Sequence, residues 1–429
     1  IKRIDTTAAK QLPGVIAVVT GFDYPTGRWG SKMKDQPVLP RDKVRYIGEP
    51  VAAVAAIDEE TAQIASELIE VEYEELPAVF DVETATAPGA PLVHDNAEEY
   101  EHVKQSVKPV RGTNICNHTK VRKGNCDAAF AKADVIVEGT YTTHVQAHMP
   151  LETHAAIASW DYTGRLTVWT CSQAPFLTRN ALARALCIEP SRVRVIVPDV
   201  GGAFGGKIHL RLEPYCALLA KASGKPVKIV QTRHEEFIAG TTRHAARIHI
   251  KTGAMKDGTI CACRVEIMFD TGAYSDSGES VSWQTALGAA GPYRIEHLAF
   301  DTYSIYTNKV PAGAFRGMGW PQTTWAFESQ IDRLAAKLGM DPLQIRLKNV
   351  LRDGDETATG EKLEKIPLAQ CLERAAAAIG WDQPLPKNRG RGLSVVMKTS
   401  VAPSTAGSIV KINEDGRVHL LAGAAEIGT

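Results

Sequence analysis

Apolar and polar positions along this chain follow two periods, and the changes between them mark its elements. Residues 51–57, VAAVAAI, form a short unbroken apolar run, the pattern of a buried strand. Asp58 then stands where a helix cap is needed, and Ala62, Ala65 and Ile69 recur at helical spacing through EETAQIASELI. The stretch 69–76, IEVEYEEL, alternates apolar with acidic residues and predicts a half-buried strand. A strand–helix–strand unit therefore lies near the start. The Pro/Ala/Gly-rich stretch 81–95, followed by polar residues to about 120, predicts a linker.

Beyond it the pattern thickens. DVIVEGTYTTHVQAHM and LTVWTCSQ read as strands, APFLTRNALARALCI as a helix, and RVRVIVPDV as a strand entering a glycine loop. RLEPYCALLAKASGKPVKIV is a helix stopped at Gly224, then a strand. HAARIHIKTGAMKDGTICACRVEIMFDTGAYS predicts two strands around a Lys-Asp-Gly turn. WAFESQIDRLAAKLG is an amphipathic helix ending at Gly339, and Asp341-Pro342 starts the next, with proline at its first position. The polar stretch PLPKNRGRG near 385–390 suggests a boundary, and GSIVKINEDGRVHLLAG a hairpin. The expected division is a first unit over 1–100, a linker over 101–120, a large unit over 121–385 and the start of another over 386–429. The fold class is α+β, with helices and strands mixed along the chain.

Composition narrows the choices. The chain has 429 residues, enough for more than one core. Its 49 basic and 49 acidic residues balance, so nothing marks a nucleic-acid surface. The longest apolar runs are short of a membrane span. The eight cysteines contain no Cys-x-x-Cys, which argues against a zinc ribbon or an iron–sulfur cluster; Cys261 and Cys263, alternating along an expected strand, read as buried free thiols, and a reducing, cytoplasmic setting is expected. The chain opens on Ile1 and stops at Gly428-Thr429, just after a strand, so a fragment or a naturally split subunit is expected.

The chemistry concentrates in VPDVGGAFGGKIHL, residues 197–210. A phosphate-binding Walker loop needs a hydroxyl after its lysine, and Ile208 stands there. A dinucleotide fingerprint needs Gly-x-Gly-x-x-Gly, and GGAFGG does not match it. Two glycine pairs around one phenylalanine suit backbone N–H groups that must come close to a bulky ligand. A second glycine motif, VPAGAFRGMGWPQ, places Arg316 in a loop of small and apolar residues. That arginine is either held in a salt bridge or aimed at an anion. HVQAHMPLETH offers a rival site, with His144, His148, Glu152 and His154 close together as for zinc. Pro150 interrupts any helix there, and the pattern is not His-Glu-x-x-His.

GGAFGGK and GAFRGMGWPQ, in this order, resemble the molybdopterin-binding subunit of the xanthine oxidase family, the molybdenum hydroxylases. VRYIGEPVAAVAAIDEETAQIASELIEVEYEELPAV resembles that family's α/β hammerhead domain, and CSQAPFLTRNALARAL its segment with a cofactor-facing glutamine. GRVHLLAGAAEIGT resembles the start of its second cofactor-binding domain. The resemblance implies a hammerhead over 1–100, a first molybdopterin-binding domain over 121–385 and the start of a second over 386–429. It implies molybdopterin, plain or as the cytosine dinucleotide, with the metal held by the pterin dithiolene and not by the protein. Gln173 would bond the oxygen side of the metal centre. Gly205 would offer its N–H to a metal oxygen, Gly202 would let the loop lie against the pterin, and Arg316 would support the cofactor's anionic end or its dithiolene. Phe204 would line the substrate pocket.

The departures matter as much. Purine hydroxylases have a glutamate where Ile208 stands, an arginine at the position aligned with Gln284, and often phenylalanine at Met318. A substrate less rich in hydrogen bonds is implied: an aromatic acid, an N-heterocycle, an aldehyde or an aryl thioester. The general-base glutamate of the family is expected outside this chain. So are the 2Fe-2S clusters and FAD, on partner subunits or domains, together with a second molybdopterin-binding subunit or segment, as in nicotinate dehydrogenase-like enzymes. Two other readings stay open: a reductive dehydroxylase of the 4-hydroxybenzoyl-CoA reductase type, and a non-catalytic scaffold subunit of the same fold.

Overall fold

The computed structural model describes residues 1–398 and 407–428. β1 (Arg3–Asp5) leads through α1 (Thr7–Gln11) into β2 (Val15–Thr20), which pairs antiparallel with β3 (Ala52–Ala56). α2 (Glu59–Glu67) follows, and β4 (Glu70–Glu72) returns against β1. The Asp58 carboxylate accepts the Thr61 N–H at 2.8 Å, so it caps α2 as its position implies. Ala9, Val18 and Ala65 close a small core between these helices and β2. The strand expected over 69–76 ends at Glu72, because its partner β1 is only three residues long; Tyr73 and Leu76 are exposed beyond it.

After α3 (Val82–Thr86), β5 (Ile115–Lys123) begins inside the stretch read as a linker over 101–120. α4 (Cys126–Phe130) joins it to β6 (Val135–Thr143). The single strand expected over 134–149 breaks after Thr143, and β7 (Gln146–Ala147) leaves the sheet. Next come β8 (Ala155–Trp160), β9 (Leu166–Thr170), α5 (Pro175–Ala185) and β10 (Val193–Ile196). They are followed by α6 (Glu213–Ser223), β11 (Val227–Val230), α7 (Arg233–Ala239) and β12 (Thr242–Arg243), which pairs with β7. β13 (Ala246–Ala254) and β14 (Ile260–Gly272) form the expected hairpin. α8 (Gly278–Leu287), β15 (His297–Tyr306), α9 (Trp320–Leu338), α10 (Pro342–Asn349) and α11 (Leu368–Ala378) complete the large unit. β16 (Ser408–Ile412) and β17 (Val418–Ala422) make a hairpin on their own. Within 386–429, residues 399–406 and Thr429 lie outside the described residues.

Two sheets organise the large unit. The first has the order β5-β15-β14-β13-β6, and the second β10-β9-β8-β11. Each contains one parallel pair, β14 with β15 and β9 with β10. A parallel pair needs a crossover, and helices α8 and α5 supply it. The first sheet buries Ile248, Val265, Ile267 and Phe300 against α9 and α10 through Phe327, Ile331, Leu334 and Ile345. The second buries Ala158, Leu166 and Val168 against Leu182, Cys216 and Leu219 of α5 and α6; Ala17, Val19 and Ala55 of β2 and β3 join that core. The N-terminal unit is thereby fixed to the second sheet. Gly224 ends α6 with φ +65 and Gly339 ends α9 with φ +64, the left-handed stop that the sequence anticipates.

Candidate functional site

Strands β9 and β10 run parallel, so their carboxyl ends lie together, the place where open sheets present ligand-binding loops. Gln173 follows β9 and the glycine loop follows β10. The Gln173 N–H donates to Lys207 O at 2.8 Å. Its side-chain Oε1 accepts the N–H of Gly205 at 2.9 Å and that of Lys207 at 3.3 Å. The Gly205 N–H, expected to reach a metal oxygen, is thus committed to Gln173: a carboxamide oxygen in reach is a ready acceptor for a half-buried donor. The other end of that amide, Nε2, has no partner among the described residues.

The second glycine motif docks on the first. The Arg316 N–H donates to Phe204 O at 3.0 Å. Gly205 takes φ +105, and a Cβ there would lie 2.3 Å from Ala314 O, so only glycine lets the two loops touch. Gly202 has φ +90, and Phe204 itself is left-handed at φ +53 and 45% exposed. The Arg316 side chain is exposed and forms no ion pair among the described residues, which removes the salt-bridge alternative for it. Gln173, Gly202, Phe204, Gly205 and Arg316 therefore share one site.

Three further residues hold this site, and sequence reasoning gave them other roles or none. Lys207 does not face a ligand. Its side chain is 1% exposed, and Nζ donates to Glu152 Oε2 at 2.7 Å and Glu152 O at 2.8 Å. Glu152 Oε2 also accepts the Gly201 N–H at 2.9 Å. His154 pairs with Glu236 at 2.9 Å, and His148 faces two backbone carbonyls. The histidine cluster thus dissolves into separate structural contacts, and no metal-ligand group occurs among the described residues. Arg243 packs its guanidinium 4.1 Å from the Phe315 ring centroid and donates to Arg316 O at 3.0 Å. Nothing local in the sequence points to it.

Of the expected substrate-pocket residues, Ile208, Gln284 and Met318 lie on α8 or beside segments that touch it, whereas Phe204 stands on the first glycine loop. Ser277 precedes that helix, and its hydroxyl lies 2.9 Å from Nε2 of His209, the neighbour of half-buried Ile208. Gln284 lies on α8, half-buried. A Cβ on Gly319 would meet Thr285 Oγ1 of α8 at 2.1 Å, so the turn carrying Met318 packs on the same helix. Met318 is left-handed at φ +44 and packs against the core of the first sheet. Beside them Asp276 is buried. Burial raises its pKa, but His209 and the Arg211 guanidinium 2.8 Å away outweigh this and hold it below the ordinary carboxylate value.

A donor-rich wall results. Gln173 Nε2 is unpartnered, Arg243 Nη1 is buried without a partner, and Arg316 is an open cation; Glu152, the carboxylate bonded to the first glycine loop, is already spent on Lys207 and Gly201. Such a set suits an anionic group rich in acceptors, the character of a pterin phosphate and a metal–oxygen centre.

Comparison with known proteins agrees. Residues 107–350 match the model of the molybdopterin cofactor-binding domain, and residues 1–77 that of the aldehyde oxidase and xanthine dehydrogenase a/b hammerhead domain. The chain is 38% identical to the nicotinate dehydrogenase large molybdopterin subunit of Eubacterium barkeri, over 87% of this chain and 85% of that protein. It is 33% identical to the xanthine dehydrogenase molybdenum-binding subunit of Escherichia coli O157:H7, over 99% of this chain and 58% of that protein. Among solved structures, the aldehyde oxidoreductase of Desulfovibrio gigas superposes with a TM-score of 0.84 at 28% identity, covering 98% of this chain and 47% of that one. Quinoline 2-oxidoreductase of Pseudomonas putida 86 gives 0.86 at 28%, covering 100% and 57%. The chain thus spans about half the length of several proteins it matches. On the hammerhead, the two interlocked glycine loops and these matches, the chain belongs to the aldehyde oxidase and xanthine dehydrogenase family of molybdenum-dependent oxidoreductases, as a molybdopterin-binding member.

Proposed function

We propose that this chain forms one wall of the cofactor site in a hetero-oligomeric molybdenum hydroxylase that oxidises an aromatic, N-heterocyclic or aldehyde carbon with water-derived oxygen. One observation carries the reading: three segments distant in sequence meet beyond β9 and β10, where Gln173 Oε1 accepts the Gly205 N–H and Phe204 O accepts the Arg316 N–H. Molybdopterin, plain or as the cytosine dinucleotide, would supply the two-electron redox chemistry when bound. Gln173 would bond its oxygens through Nε2, with Gly205 fixing the amide's orientation. Arg316 would meet its negative charge, and Gly202 would give its flat ring close approach. Phe204, Ile208, Gln284 and Met318 would shape the substrate side. Ile208 cannot hydrogen-bond a purine, and Gln284 offers a neutral amide, so a heavily hydrogen-bonding ring would leave polar groups unpaired there.

The wall is open on one side. Leu151 is 94% exposed beside the glycine loop, Met149 and Phe204 are exposed near it, and the apolar residues of β16 and β17 are uncovered on both faces. Patches of this kind mark contact surfaces. A second molybdopterin-binding subunit or segment, carrying the general-base glutamate, would cover it, with 2Fe-2S and FAD centres on further subunits taking the electrons. All eight cysteines are free thiols, in keeping with a reducing cytoplasm.

The test uses the intact enzyme: molybdenum and pterin content, then a panel of xanthine, aromatic acids, N-heterocycles and aldehydes with an artificial electron acceptor. Molybdenum with turnover of a non-purine substrate is expected. Xanthine turning over fastest, with no gain from Ile208→Glu, would overturn the substrate reading; absence of molybdenum and pterin would overturn the cofactor reading.

A further inference from the structure

We propose that the N-terminal unit takes part in substrate selection: its 29–36 loop grips α8 through Glu279 and Trp283 and so positions Gln284. The inference rests on the reading of Gln284 as a substrate-side residue, and adds the element that aims it.

The loop, which lies between β2 and β3, is built as a rigid template. The Trp29 N–H donates to Gln36 O at 2.8 Å and the Gln36 N–H to Trp29 O at 3.1 Å, which closes its base. The Val103 N–H donates to Lys32 O at 3.0 Å and the Lys34 N–H to Glu101 O at 2.9 Å, so the stretch after α3 holds its edge. Met33 and Asp35 are fully buried.

Three contacts run from this loop to α8, at four-residue intervals. The Asp35 carboxylate accepts the Ser275 N–H at 2.6 Å, just ahead of the helix. Glu279 Oε1, in the first turn, accepts the Lys32 N–H at 2.7 Å. The Lys32 ammonium stands 5.0 Å from the centroid of the Trp283 ring, one turn further on. Positions 279 and 283 share one helix face, and Gln284 is the residue after Trp283.

The rest of the helix is held in a similar way. α8 has no side-chain cap of its own. Toward β15, Ser282 Oγ lies 2.6 Å from Thr302 Oγ1, and the Ser304 hydroxyl donates to Gly278 O at 2.9 Å. Hydrogen bonds are directional, so they fix the rotation and height of a helix only while each is made. Losing the Glu279 bond strands the Lys32 N–H and frees the face beside Gln284. Glu279 is 1% exposed and turned to Lys32, so it acts on substrate through Gln284 and not by contact.

The test uses the intact enzyme with nicotinate and benzaldehyde as probes. Each is read as KM, or as an inhibition constant against the best substrate of the panel where it is not turned over. The nicotinate carboxylate can accept from the Gln284 amide; benzaldehyde carries no polar group beyond its reacting carbonyl. Glu279→Ala is expected to raise the nicotinate constant about fivefold, the worth of one neutral hydrogen bond, with kcat and the benzaldehyde constant moving far less. Glu279→Gln keeps an oxygen acceptor for the Lys32 N–H and should restore the wild-type value. Lys32→Ala, at a partly exposed position, should give a rise of about twofold and serves if Glu279→Ala does not fold. Amide exchange across 279–288 should quicken in Glu279→Ala and not in Glu279→Gln. Unchanged exchange in Glu279→Ala, or both constants rising together, overturns the proposal. So does a nicotinate constant that Gln284→Ala raises and neither Glu279→Ala nor Lys32→Ala moves. A nicotinate constant that Gln284→Ala leaves in place overturns the substrate reading instead, and the exchange data then decide the grip alone.

Discussion

Lys207 occupies the place where a phosphate-binding lysine would stand, yet it points inward and pairs with Glu152. Its side chain is 1% exposed and that of Glu152 36%. The two ends of this pair are not equivalent. Glu152→Gln strands a buried ammonium and is expected to cost about 3 kcal/mol. Lys207→Met leaves a carboxylate that reaches water and is expected to cost less; chemical unfolding of both variants ranks them. Gly205→Ala adds a methyl against Ala314 O at a backbone angle that L residues avoid, so the loops must part. Molybdenum per chain in the intact enzyme should drop sharply in that variant, with β13–β14 amide protection unchanged. The glycines were legible because their clustering has a backbone cause visible in the sequence. The role of Glu152 was not: its partner lies 55 residues away, and only the fold brings them together.

At the level of elements, what could be read depended on whether the buried face was apolar. β13 and β14 announce themselves through Ile248, Ile250, Val265 and Ile267, all inward. β15 alternates just as regularly, but its inner face turns polar at Thr302 and Ser304. Those hydroxyls are satisfied by α8, through Ser282 and the Gly278 carbonyl, so two polar surfaces pack together and neither shows in the pattern. α8 escaped notice for the same reason, with Glu279, Ser282 and Thr285 on its buried side. The caps were readable because they are local. The Asp341 carboxylate accepts the N–H of Leu343 and of Gln344, and its other oxygen holds Trp381 Nε1 at 3.0 Å. Asp341→Ala is expected to cost about 1–2 kcal/mol, and Asp341→Asn clearly less, in denaturant unfolding.

For the whole molecule, the joint between the N-terminal unit and the first sheet carries buried carboxyl groups. Asp35 accepts from Ser275 N–H and Tyr306 Oη, and Glu279 from Lys32 N–H. Burial pushes Asp35 up to about 6 and Glu279 up to about 8, from ordinary values of 3.8 and 4.5. A raised carboxyl pKa stabilises the fold below the unfolded value and loses that contribution as the pH climbs through the folded one. The contribution of these two carboxyls to stability should therefore be lost between about pH 4 and about pH 8, against the gain from buried histidines such as His94 and His244, whose lowered pKa values favour the fold as they become neutral. Glu279→Gln should flatten the upper part of that decline, as thermal unfolding across the range would show. The β16–β17 ribbon has a different consequence. Its isoleucines, valines and leucines are wetted on both faces, and two strands alone are a marginal structure in water. Whatever comes to cover them must strip that hydration away. Association at this end should therefore register in a calorimeter as a negative heat-capacity change, growing more exothermic with every degree of warming.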